Sequence, residues 1–226
     1  MPRKTRSKPH QEMSFISLFS GCGGLDLGFQ QAGFRCLGAF DNDYTAIQTH
    51  SENLGTPTFQ WDLSNGQLPD KQATRPMVVV AGSPCQGFST IGKRRVDDKR
   101  NGLLLAAGRI AVALNPAFFV AENVPAVTSG AHAKYWDSLR HTLTDAGYTC
   151  STVLLRASDF GVAQQRRRLF MIASRKLLRG CHIGEVHRNG VSQEAPVLDL
   201  QVRNSLEGSD VQPLGREPRW GCRVWN

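Results

Sequence analysis

Between residues 15 and 173, short apolar runs alternate with segments whose apolar residues recur at helical spacing. That alternation admits few folds, because parallel strands need long crossovers and an α-helix is the usual one. Strands are expected over 15–19, 36–40, around Phe59, over 77–81 and 118–121, and near 150–155 and 169–173. Helical patterns lie between them, after Gly24, over 44–53, from near Leu103 and over 135–146. The fold class expected is therefore α/β, a mostly parallel sheet with helices on both faces. Open sheets of this kind bind ligands beyond the carboxyl ends of their strands. The residues with chemical potential fall repeatedly at those ends.

Charge narrows the partner class. The chain carries a formal net charge of +8 and a pI near 9.5, which favours a polyanion such as nucleic acid. No apolar stretch approaches the roughly 18 residues needed to span a bilayer, so no membrane partner is expected. Arg3, Lys4, Arg6 and Lys8 precede no apolar run, which makes residues 1–13 a basic disordered arm and not a secretory signal. The arm reads as a solvated tail in preference to a phosphate contact. Cysteines at 22, 36, 85, 150, 181 and 222 form no C-x-x-C pair, so a reduced, intracellular chain is expected, without a metal site. Cys181, His182 and His187 lack a fourth ligand at suitable spacing. Residues 14–173 form the expected catalytic domain. Residues 174–226, rich in Arg, Gly and Pro, keep no apolar period and form an irregular C-terminal segment.

The first strand ends in Ser20-Gly21-Cys22-Gly23-Gly24 and leads into a helix. Glycines there let backbone approach a ligand closely, and Asp41, twenty residues beyond Gly21, ends the next strand where a carboxylate can bind ribose hydroxyls. Asp26 stands where the dinucleotide fingerprint requires its third glycine, so the physical inference is an adenosine-containing cofactor without a pyrophosphate. Asp62 is placed to reach an adenine amino group and Phe19 to offer an apolar edge. A generic tight βα turn remains the alternative.

Ser83-Pro84-Cys85-Gln86 follows a fully apolar strand. A thiol at that lip is a nucleophile once its pKa is lowered, and Arg94, Arg95 and Arg100 follow in a basic loop over 86–102. Alone, Cys85 also reads as a small buried hydrophobe. Glu122-Asn123-Val124-Pro125 ends the next strand and shares the rim with Cys85; alone, Glu122 also reads as a turn or capping residue. Gln164-Gln165-Arg166-Arg167-Arg168 supplies guanidinium forks suited to phosphates and base carbonyls, or else a solvated loop.

Together, Phe19 to Gly24, Gly82-Ser83-Pro84-Cys85-Gln86-Gly87-Phe88-Ser89, Glu122-Asn123-Val124 and Gln164 to Arg168 resemble, in order, the motifs of the DNA cytosine-5 methyltransferases. The resemblance covers residues 15–173. It implies the class I S-adenosylmethionine-dependent methyltransferase fold, Rossmann-like, with seven strands and one reversed. It further implies that Cys85 attacks carbon 6 of a flipped-out cytosine in double-stranded DNA, with Glu122 on the Watson-Crick edge, Arg168 on the carbonyl oxygen and Arg166 nearby. Phe19, Gly21, Cys22, Gly24, Leu25, Asp41, Asn42, Asp62, Leu63, Gly82 and Pro84 line the S-adenosylmethionine pocket by the same resemblance. A restriction-modification setting and a cytoplasmic, nucleoid-associated location follow from it.

The chain departs from the family pattern in places. Ala163 stands where proline is usual, and Asn42 lacks the bulky side chain often found against adenine. After residue 173 no recognition domain, further motif or final helix is recognisable. A second polypeptide carrying those parts, or a truncated product, is expected on that ground. An RNA cytosine-5 methyltransferase and a non-catalytic DNA-binding fragment are the competing readings.

Overall fold

A computed structural model describes residues 13–69, 75–84 and 102–175. The basic arm, Cys85, the basic loop, the Cys181–His187 cluster and nearly all of the C-terminal segment lie outside the described residues.

Seven strands form a single sheet: β1 (Ser14–Leu18), β2 (Arg35–Asp41), β3 (Thr58–Gln60), β4 (Val78–Ala81), β5 (Phe118–Asn123), β6 (Thr149–Arg156) and β7 (Arg167–Ser174). Their order is β3-β2-β1-β4-β5-β7-β6, and β7 alone is reversed relative to the other six. The α/β class and the reversed strand are as expected. Helices α1 (Gly24–Gln31), α2 (Tyr44–Leu54), α3 (Leu103–Leu114) and α4 (Ala133–Asp145) provide the crossovers.

Local chemistry explains where these elements stop. Helix α1 ends in a Schellman motif: Gly33 N–H bonds the Gln30 carbonyl, Phe34 N–H bonds the Phe29 carbonyl, and the Phe29 and Phe34 rings meet edge-on at 5.4 Å. Gly33 takes φ 89°, a conformation that side chains resist. Helix α2 starts where Asp43 accepts the Ala46 N–H at 3.0 Å. Strands β1 and β4 are buried at every position, as strands covered on both faces must be. One face packs Ile16, Leu18, Val79, Ala81, Phe119 and Ala121 against Leu104, Ile110, Trp136, Leu139 and Leu143 of α3 and α4. Burying each of the larger aliphatic and phenylalanine side chains contributes roughly 1.5 to 3 kcal/mol.

Three strand boundaries differ from the sequence-based expectation. Strand β1 stops at Leu18, because Phe19 turns to φ 54°. Strand β5 continues through Glu122 to Asn123, and β7 begins at Arg167, because these segments pair with each other as Glu122↔Phe170 and Asn123↔Leu169. Glu122 is thus a strand residue and not a turn or cap. Arg168 is likewise held by the sheet and not by a loop. Hydropathy alone ended both runs at their last apolar residues, whereas the ladder hydrogen bonds are blind to side-chain polarity.

Candidate active site at the carboxyl edge of the sheet

Parallel strands β1, β2, β4 and β5 deliver Phe19, Asp41, Gly82 and Glu122 to one edge. The reversed β7 brings Arg168, near its amino terminus, to the same edge. A cavity of about 550 Å³ opens there. Phe19, Ser20, Gly24, Leu25 and Gly82 line it from the glycine-loop side, and Glu122, Arg166, Arg168, Phe170 and Phe160 from the β5–β7 side. Ser17 and Asp26 belong to the same lining although both are buried. A second cleft of about 520 Å³, near the amino-terminal end of β2, is lined by Arg35, Cys36 and Thr56 among others but by no carboxylate. The chemistry gathers at the first.

The glycine loop is held by its own backbone and by Asp41. Gly21 N–H donates to Asp41 Oδ2 at 2.9 Å, and Asp43 N–H donates to Oδ1 at 3.0 Å. Two acceptor oxygens offer about four lone-pair sites, so both bonds leave capacity for hydroxyl donors. Phe19 pays for its left-handed backbone with strain of about 1 to 2 kcal/mol, and its ring lines the cavity. Among the described residues, a methyl group on Gly24 would meet no atom within 4 Å beyond its chain neighbours, so that side of the loop is open to a ligand. Among the described residues, Ser20 Oγ is buried in the wall without a hydrogen-bond partner. An orphan hydroxyl beside open backbone suits a polar, adenosine-sized ligand, and the residues present therefore fit the expected cofactor.

On the opposite wall, Arg168 Nε lies 2.7 Å from Glu122 Oε1. Asn123, buried beside it, donates from Nδ2 toward the Ser83 carbonyl and hydroxyl at 3.4 Å each, while its Oδ1 accepts the Val124 N–H at 2.9 Å. That bridge joins the end of β5 to the segment that leads through Pro84 to Cys85. The glycine loop and the acid–arginine pair are thereby brought to one cavity; Cys85 lies outside the described residues.

Gly21, Asp41 and Pro84 are not among the residues lining the cavity, and other expected residues also sit apart from it. Cys22 and Asn42 are exposed, and the Asn42 carbonyl accepts from Gln60 Nε2. Asp62 is exposed and accepts the Ser64 N–H at 2.9 Å; that backbone bond, then the Ser64 hydroxyl, holds its carboxyl below the ordinary carboxylate range. Leu63 is buried in the main core. Among the described residues no His, Cys, Asp or Glu group is arranged to hold a metal, and no helix is long and apolar enough to cross a membrane.

Sequence reasoning met Asp26 only as a missing glycine and passed over His50. Both are fully buried, 2.7 Å apart, and Ser17 Oγ donates to the same carboxylate at 2.6 Å. The signal was available in the helical period: Asp26 shares the inward face of α1 with Leu25 and Phe29, and His50 shares that of α2 with Ile47 and Leu54.

Residues 13–210 match the family of C-5 cytosine-specific DNA methylases. The chain belongs to that family. It is 38% identical over 170 residues to the type II methyltransferase M.XorII of Xanthomonas oryzae pv. oryzae, covering 71% of this chain and 40% of that protein. It is also 38% identical over 165 residues to M.HgiDI of Herpetosiphon aurantiacus, covering 72% and 52%. Among solved structures, a DNA modification methyltransferase encoded within an E. coli prophage superimposes with a TM-score of 0.63 at 32% identity, over 72% of this chain and 47% of the other. Dnmt2 of S. pombe, at 22% identity and a TM-score of 0.58, shares the fold. The chain thus spans about half the length of the relatives it matches.

Proposed function

We propose that this chain carries the catalytic part of a DNA cytosine-5 methyltransferase of a restriction-modification system. The observation that supports it most is the Glu122–Arg168 pair facing the glycine loop across one cavity, in a chain of this family. In this reading the bound S-adenosylmethionine supplies an electrophilic methyl group. Phe19, Ser20, Gly24 and Gly82 hold it, and Asp41 accepts its ribose hydroxyls.

The base chemistry falls to the protein. Carbon 5 of cytosine is a poor nucleophile until a thiolate adds to carbon 6, the step assigned to Cys85. Addition pushes charge toward ring nitrogen 3 and the carbonyl oxygen, where Glu122 donates a proton and Arg168 a charged hydrogen bond. After methylation, water takes the carbon 5 proton, the Cys85–carbon 6 bond breaks with its electron pair leaving on sulfur as the thiolate, and nitrogen 3 returns its proton to Glu122. A cytosine stacked in a duplex cannot enter such a cavity, so the base must be flipped out.

The deciding experiment measures methyl incorporation from labelled S-adenosylmethionine into mixed-sequence DNA and into RNA, using the chain alone and with the neighbouring gene product. DNA labelling that yields 5-methylcytosine and vanishes in Cys85→Ser supports the reading. Labelling of RNA in place of DNA favours the RNA alternative. Activity that appears only with the second polypeptide supports a split enzyme. Cofactor and DNA binding without labelling in any mixture would refute the catalytic assignment.

A further inference from the structure

We infer that Asp26 is a specificity-determining residue whose buried carboxylate biases the cavity toward the cationic sulfonium of the methyl donor and against its neutral thioether product. The inference rests on the cofactor reading above and concerns a residue outside the motif positions.

Asp26 lies in the first turn of α1, is fully buried, and contributes to the cavity lining beside Ser17. Its Oδ1 accepts from Ser17 Oγ at 2.6 Å, and its Oδ2 lies 2.7 Å from His50 Nε2. His50 Nδ1 in turn lies 3.2 Å from Thr56 Oγ1. With the imidazole proton on Nε2, the Thr56 hydroxyl donates to Nδ1. Asp26 and Ser17 line the cavity and His50 does not, so the carboxylate and its charge form the part of this chain of contacts nearest a ligand. The amino-terminal turn of a helix is where such a charge is best tolerated.

A structural role alone does not need that charge. Burying a carboxylate costs several kcal/mol beyond what an amide of the same shape would cost. Its field also extends past its hydrogen-bond partners: the buried Cys36 thiol is pushed up to about 12, first by burial and second by the charge of Asp26. The other lining carboxylate, Glu122, is paired with Arg168, and Arg156 and Arg166 are exposed where water screens them. Among the described lining residues, Asp26 is therefore the charge whose influence on a ligand is least screened. S-adenosylmethionine and S-adenosylhomocysteine differ by one methyl group and the sulfonium charge, so their affinity ratio reads that influence directly.

The test is calorimetric titration of the full chain with each of the two ligands, for wild type and Asp26→Asn. The amide can keep every hydrogen bond: its oxygen accepts from Ser17, its nitrogen donates to His50 Nε2, and the other imidazole tautomer donates from Nδ1 to Thr56. S-adenosylmethionine is expected to weaken roughly five- to thirtyfold and S-adenosylhomocysteine by less than about twofold. An equal loss for both ligands would make Asp26 a purely structural residue and overturn the inference, as would no loss for either. Failure of the wild type to bind either ligand would instead overturn the cofactor reading. If Asp26→Asn does not fold, Asp26→Asn/His50→Gln, which replaces the pair by two amides, carries the same comparison with the same expected ratio.

Discussion

Arg168 Nε and Glu122 Oε1 meet at 2.7 Å across the antiparallel seam of β5 and β7. Glu122 is directly opposite Phe170, so Arg168, two residues along the same face, reaches it diagonally. Both side chains are about a quarter exposed, at 25% and 22%, which puts the pair's worth to stability at about 1 kcal/mol or less. Arg168→Ala is thus expected to change the unfolding free energy in urea by no more than that, yet to lower methyl transfer roughly a hundredfold by removing a donor to developing charge. A large loss of stability with proportionate loss of activity would show that the pair serves the fold.

Cys85→Ser is expected to abolish methyl transfer while cofactor affinity stays within about twofold, since a serine hydroxyl is far less nucleophilic than a thiolate. Labelled methyl incorporation and calorimetry on the same preparation measure the two quantities. Residual activity above a small fraction of wild type would remove Cys85 from its proposed role.

Asp41 is expected to matter twice, because it accepts the Gly21 N–H as well as the proposed ribose hydroxyls. Asp41→Ala should weaken S-adenosylmethionine binding by about 1.5 to 3 kcal/mol, the usual worth of hydrogen bonds to a charged group. Asp41→Asn, which can still accept from Gly21, should lose less. Equal affinities for wild type and Asp41→Ala would rule the ribose contact out.

Alkaline pH should destabilise the domain through Cys36. Its thiol ionises at about 12 when folded against an ordinary 9.0, so between those values the folded state binds the proton and the unfolded state has released it. The contribution is fully present below about pH 9 and is lost as pH rises toward 12, with a slope approaching about 1.4 kcal/mol per pH unit. Denaturant titrations at pH 8 to 10.5 on wild type and Cys36→Ala measure it: the variant should start less stable and decline less steeply. Parallel curves would contradict the burial of this thiol.

How much of this was legible beforehand depends on which forces wrote the pattern. The seven strands and four helices show in hydropathy because the core face of a sheet must be apolar. Glycine positions showed the loop because few other residues take φ 88° at Gly23, where a side chain would also strike His50 and Leu54. The extension of β5 through Glu122 and Asn123 was hidden, since it depends on a partner strand almost fifty residues away. Asp26 was legible only as a missing glycine. Its burial with His50 is a tertiary fact: each polar residue looks out of place on its own helix, and only the fold shows that they satisfy one another.

The reversed strand β7 has a kinetic side. It pairs with β6 inside a hairpin confined to residues 149–174, a loop the chain closes locally. The glycine-loop wall instead stands on β1 lying in parallel with β4, where Phe15 must find Val78. Local closure is quick and distant parallel pairing slow, so the β6–β7 hairpin is expected to form before β1 pairs with β4. The proposed cofactor would meet both walls only in the finished sheet, so its presence during refolding is expected to draw the last, long-range step to completion without hastening the first.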